Sequence, residues 1–309
     1  MRFGKTLSLA AASAAMLLAV SGCSATASGD APAAGGSSST DVTAGVKVDP
    51  AAAKLLPAST KKAGTLTVAM DLNYPPTSFL ASDNATAIGF NPDFVRLIGK
   101  KLGLKISIEN VSFDTIIPGI AAGRYDFTAT DMSATPERLK VLSMIDYWDA
   151  GSSLVVSAGN PMKLSLADNS LCGHSIGVTL GSTQAEQYVP LISKKCEAAG
   201  GKAVKAVVLP NVQDALTQLA SKRIDGVFYD TSSLGWAAKK QSQSFELLTP
   251  QYKKESGTDL VALGIAKDSP LIPALHAATQ SVLDSPQYKK ALNAWGLGAG
   301  AITTATLLK

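Results

Sequence analysis

The chain is 309 residues long, 46% hydrophobic and 17% charged, with a net charge of +4 at pH 7. So small and scattered a charge excludes the concentrated basic surface of a nucleic-acid binder, and the lysine pairs at 61–62, 100–101, 239–240 and 289–290 read as solvated faces. Three cysteines and two histidines stand in no metal-ligand spacing, so neither a metal nor another cofactor is implied.

In chain order, Arg2 and Lys5 make a basic start, Leu7 to Val20 is almost wholly apolar, and Ser21-Gly22-Cys23 supplies small residues. About 14 apolar residues are short for a membrane span, so residues 1–22 read as a secretory signal rather than an anchor helix. The ending Val20-Ser21-Gly22-Cys23 resembles a bacterial lipobox, in which cleavage leaves Cys23 first in the chain and lipidated. Lipid at Cys23 leaves Cys172 and Cys196 as an even pair. In an oxidising compartment they can close a loop of about 25 residues, worth about 3–4 kcal/mol by chain entropy; two buried free thiols are the other possibility. Residues 23–62 are rich in Ala, Ser, Gly and Pro with no periodic apolar face, and read as a flexible linker.

After Gly64 the pattern alternates. Strand-like runs are "TLTVAM" (65–70), "KISIEN" (105–110), "DFTATD" (126–131), "SIGVTL" (175–180), "AVKAVVLP" (203–210) and "DGVFYD" (225–230). Between them, Phe94, Ile98 and Leu102 recur at helical spacing, as do Ile116 with Ile120, and Val212, Leu216 and Leu219. Strands alternating with helices of this length imply an α/β fold with parallel sheets and helices on both faces.

Ligands of such sheets bind beyond the carboxyl ends of the strands. Asp71 follows the first strand, Asp131 ends the third, Gly181-Ser182-Thr183-Gln184 follows the fourth, and Asp230 ends the sixth. Aspartate is poor in strands, and a cap for the next helix is the structural reading of each one alone. Thr135 reads as a helix N-cap and Pro136 as the first helical residue, which puts Arg138 in the first turn, against the helix dipole. A cation there suits a site in which guanidinium and helix amides hold an anion. Its other reading is a surface arginine paired with Asp131 or Glu137. Thr183 and Glu186 have capping-box spacing, so the amides of Ser182 and Thr183 can face a carboxylate. Tyr74 and Phe113 stand near these positions and can pack on a side chain.

The stretch from about Asp49 to Leu308 resembles the extracytoplasmic solute-binding proteins of polar-amino-acid ABC transporters. The matching pieces run in order: "GTLTVAMDLNYPPTSF", "GFNPDFVRLIGKKLGL", "FDTIIPGIAAGRYDF", "MSATPERLKVLSMIDYW", "LCGHSIGVTLGSTQ", "RIDGVFYDT" and "ALNAWGLGAGAIT". The resemblance implies a two-lobed periplasmic-binding-protein fold of type II: residues 63–153 and 263–309 in one lobe, 154–262 in the other. The crossings would lie near Leu154–Ser157 and Leu260–Ile265, with the C-terminal helices, about 270–296, returning to the first lobe.

It also implies that Arg138 grips a substrate α-carboxylate, helped by amides around Met132, Ser133 and Thr183, and that Asp230 receives the α-ammonium. Asp71 would meet the side chain while Tyr74 and Phe113 pack on its stem, and Thr179, Ser182, Gln184 and Tyr229 would line the second-lobe face. Two positions depart from the family: Asn91 stands where Asp is usual, and Asp131 replaces a small Gly or Ser. Asp71 and Asp131 facing one pocket would repel unless a cation sits between them. The expected ligand is therefore a cationic amino acid such as arginine, lysine, ornithine or histidine; glutamine, glutamate or a related amine is the alternative.

The expected partners are that ligand, a membrane permease and, through the Cys23 lipid, the cell membrane; the protein would be an extracytoplasmic monomer. No catalytic residue is expected, although some dehydratases share the scaffold. His174 and His276 lie apart, and there is no G-x-S-x-G elbow. A sensing module that uses the same pocket is a further alternative.

Overall fold

The computed structural model describes residues 41–252 and 260–309. The expected signal peptide, the lipidation of Cys23 and the first part of the expected linker lie outside the described residues.

Two sheets carry the fold. In the first, the strand order is Leu307–Leu308, Leu142–Asp149, Leu260–Ala266, Phe127–Thr128, Thr65–Met70 and Lys105–Asn110. In the second it is Lys205–Leu209, Ser175–Thr179, Gly226–Asp230, Ser152–Ser157 and Phe245–Leu247. Each sheet is mixed, which corrects the expectation of purely parallel sheets. Three strands in each run parallel, and the strands that enter and leave the lobes run antiparallel.

The parallel strands need helical crossovers. Phe90–Leu102 and Phe113–Ala121 serve the first lobe, and Val189–Ala198 and Val212–Ala220 serve the second. In both lobes the first strand of the trio lies between the second and third. Successive connections therefore diverge from it, which opens a crevice at its carboxyl end.

The crossings fall a few residues from where the resemblance implied. Leu154–Ser157 lies within the second sheet and Leu260–Ile265 within the first, so the chain passes between sheets at Ala150–Gly151 and again between Leu247 and Leu260. Both segments are almost wholly buried, and neither shows the alternation that marks a half-buried strand. Gly151 has φ +66°, and a Cβ there would come within 2.6 Å of the Gln251 side chain. Only glycine takes this turn without strain.

Residues 41–62 are not a linker. Pro50–Lys54 and Ala58–Ala63 are helical, and Asp49 caps the first through hydrogen bonds from the amides of Ala51 and Ala52. Val42, Ala52 and Leu56 are buried in the first lobe's apolar cluster with Leu97, Leu275 and Ala278. The apolar residues are too few and too widely spaced to show a period, yet they fill gaps beside the C-terminal helix Ile272–Leu283. Within the second lobe Cys172 and Cys196 are joined as a disulfide, their Cα atoms 5.5 Å apart.

Candidate ligand-binding site

The predicted residues converge where the carboxyl ends of the two strand trios face each other. Asp71 and Asp131 follow neighbouring strands of the first sheet; Thr179 and Asp230 end neighbouring strands of the second. A small, nearly closed pocket lies between them. Phe113, Asp131, Ser133 and Arg138 line it from the first lobe, and Ser182, Thr183, Gln184, Tyr229 and Asp230 from the second. Asp71, Tyr74, Met132 and Thr179 are buried beside it without lining it.

Arg138 is 5% exposed. Thr135 caps its turn as expected, its hydroxyl accepting the Arg138 amide at 3.2 Å with Pro136 first in the helix. That helix is only Pro136–Leu139, so its dipole is weak and the guanidinium itself must carry the attraction for an anion. The guanidinium donates to the Ser133 carbonyl at 2.7 Å, the Gly181 carbonyl at 2.8 Å and Thr183 Oγ1 at 3.4 Å. It stands over the Phe113 ring, 5.6 Å from its centroid. Among the described residues no carboxylate lies within ion-pair distance of it. The alternative pairing with Asp131 or Glu137 is thus not what the fold makes. Burial lowers the guanidinium pKa, while the charges of Glu186 and Asp230 pull it back up.

Asp131 is turned into the first lobe. Thr77 Oγ1 donates a short hydrogen bond to one oxygen, and Asn91 Nδ2 donates to the other at 3.0 Å. Asn91 also donates to Ser78 Oγ at 2.8 Å and accepts from the Tyr147 hydroxyl at 2.7 Å. The two departures from the family pattern are thus one hydrogen-bonded pair. Asp131 has φ +56°, a left-handed conformation uncommon outside glycine. Burial raises its pKa to about 6, against the pull of the Thr77 and Asn91 hydrogen bonds.

Asp71 is 1% exposed, and both its oxygens are engaged. One accepts the Phe113 amide at 3.0 Å, at the start of helix Phe113–Ala121; the other accepts Asn73 Nδ2 at 2.7 Å. Burial raises its pKa, and those hydrogen bonds oppose the rise. Asp230 differs. It precedes helix Thr231–Lys240, but its side chain makes no capping bond; it accepts instead from Gln184 Nε2 at 2.9 Å, which also donates to Ser152 Oγ at 2.9 Å.

The capping expected of Thr183 belongs to Ser182, whose Oγ accepts the Ala185 amide at 3.2 Å. That leaves the Thr183 hydroxyl to Arg138. Met132 has its side chain in the apolar cluster with Ile116, Ile120 and Leu142, and its carbonyl accepts the Ala262 amide. Tyr74 stacks on Tyr229 across the lobes, with centroids 5.3 Å apart and planes at 25°.

Sequence reading missed Thr77, Ser152 and the Gly181 carbonyl as parts of the site. Asn91 was visible only as a departure from the family's usual Asp. The others carried no local signal, because their partners are up to dozens of residues away in the chain. Among the described residues no group of three His, Cys, Asp or Glu could hold a metal ion, and no helix is long and apolar enough to cross a membrane.

The model of the bacterial extracellular solute-binding proteins, family 3, matches residues 66–298. The arginine-binding protein of Corynebacterium glutamicum is 25% identical over 253 residues, covering 82% of this chain and 81% of that protein. Among solved structures, an ancestral arginine-binding protein bound to arginine superposes with a TM-score of 0.67 at 30% identity, covering 75% of this chain and 98% of that one. An ancestral amino-acid-binding protein described as a precursor of cyclohexadienyl dehydratase gives 0.64 at 25% identity, covering 77% and 97%.

Proposed function

The chain belongs to the bacterial extracellular solute-binding proteins of family 3, which serve amino-acid ABC transporters, and on that premise we propose that it captures a cationic amino acid between its lobes. We take it to deliver that ligand to a membrane permease, as a monomer anchored through lipid at Cys23. The charge balance of the cavity carries the reading. An amino-acid zwitterion would place its carboxylate on Arg138, which no protein carboxylate pairs among the described residues, and its ammonium at Asp230. Asp131 then remains as a cavity-lining carboxylate with only neutral hydrogen-bond donors, and a positive side chain is its natural complement. The similarity to arginine-binding proteins supports the same class.

Capture rather than catalysis is supported by where the imidazoles lie. His174 faces Asp225 at 3.1 Å, and His276 reaches the Ala305 carbonyl at 2.7 Å; neither lines the cavity. A thermal-shift and calorimetric screen of the amino acids tests the proposal. Arginine, lysine, ornithine or histidine should raise the melting temperature, since a ligand at 100 times its Kd stabilises by about 2.7 kcal/mol. A shift with glutamate or glutamine and none with a cationic amino acid would overturn it.

A further inference from the structure

The two carboxylates expected to read a ligand side chain do not stand equally near it. Both have each oxygen hydrogen-bonded, Asp131 by Thr77 and Asn91 and Asp71 by Phe113 and Asn73, but Asp131 lines the cavity, whereas Asp71 is 1% exposed and absent from the lining. Tyr229 lines the cavity on the second-lobe side. It sits on strand Gly226–Asp230, paired on one side with Ser152–Ser157, so its backbone is fixed by the sheet. Its ring stacks on Tyr74, which is 1% exposed and packs with Val212, Leu216 and Leu219 in the second lobe's apolar cluster. The phenol lies in the field of three carboxylates, Asp230, Asp131 and Asp71, which add to burial in raising its pKa.

We infer that Tyr229, backed by Tyr74, is the residue that limits side-chain length: its ring closes the cavity short of Asp71, so a ligand side chain ends against Tyr229 with its charge at Asp131. The inference rests on amino-acid capture and narrows it to compact cationic side chains. A long side chain would have to displace a ring that is held by a stack and by a sheet. Aromatic stacking adds to the area buried by such a pair, which makes that displacement unfavourable.

The test is calorimetric binding of a graded series of diamino acids, from 2,3-diaminopropionate through 2,4-diaminobutyrate and ornithine to lysine, and of arginine. Wild type should bind a short member best. Tyr229→Ala should move the optimum to a longer member and change the lysine-to-diaminopropionate affinity ratio by at least about tenfold, the scale of one or two methylenes in a closed pocket. Tyr229→Phe, which keeps the ring, should keep the wild-type order. Tyr229→Leu keeps apolar packing against Tyr74 and gives the same readout if the alanine variant fails to fold. A wild type that binds lysine or arginine best, or an order unchanged in both shortened variants, overturns the role of Tyr229 and leaves amino-acid capture standing. A wild type that binds no member of the series overturns both.

Discussion

Arg138 of the first lobe donates a 2.8 Å hydrogen bond to the carbonyl of Gly181 in the second. With Ser133 it holds the guanidinium by carbonyls instead of carboxylates. Its net positive charge is therefore available to whatever anion enters. Replacing Arg138 by Met should remove ligand binding by at least about 2–5 kcal/mol, the usual loss when one partner of a buried hydrogen-bonded charge pair is truncated. The unliganded protein should lose far less stability, because the wild-type charge is buried without a counter-ion. Calorimetry and thermal denaturation, each with and without ligand, separate the two effects.

Acidity should act through Asp131. Its folded pKa of about 6 lies above the ordinary value of 3.8, so the folded state holds the proton more tightly than the unfolded chain. The associated stability is present below pH 4 and is lost as pH rises through about 6, amounting to about 3 kcal/mol over roughly two pH units. A bound cation favours the carboxylate, so affinity should move the other way, falling by up to about tenfold per unit below pH 6. Asp131→Asn should flatten both dependences. Urea titrations and binding isotherms from pH 4 to 8 measure them, and a variant with the wild-type slopes would place the titrating group elsewhere.

The first described segment should matter to stability. Val42, Ala52 and Leu56 are at most 5% exposed. Compared with a protein beginning at Asp41, one beginning at Gly64 should lose about 3–5 kcal/mol, the burial of a Val and a Leu with their smaller neighbours. Denaturant midpoints of the two report the difference.

Breaking Cys172–Cys196 should cost about 3–4 kcal/mol by the chain-entropy treatment, the loop spanning 24 positions. Neither cysteine lines the cavity, so ligand affinity at low temperature should change little. Melting curves and calorimetry of Cys172→Ala/Cys196→Ala check both parts.

The strands Thr65–Met70 and Lys105–Asn110 coincide with the runs read from sequence, because β-branched residues bounded by glycine and turn formers are a local signal. Leu154–Ser157 and Leu260–Ile265, taken for connections, lie within the strands Ser152–Ser157 and Leu260–Ala266. They run antiparallel inside the sheets, and nothing local distinguishes a doubly buried strand from a hydrophobic link. In the site, residue types at strand ends were legible and their pairing was not. Asp131 and Asn91, 40 positions apart, were separate oddities in the sequence and are one hydrogen bond in the fold. Ser182 and Thr183 stand side by side, and only the turn's geometry shows which of them caps.

Asp131 keeps a left-handed backbone that glycine would adopt freely, at a strain of about 1–3 kcal/mol. Asp131→Gly would relieve that strain but leave the buried Thr77 hydroxyl and one Asn91 hydrogen without their acceptor. On the proposed function, backbone ease and ligand choice would pull position 131 in opposite directions, so a sequence selected for heat resistance alone need not keep an aspartate there.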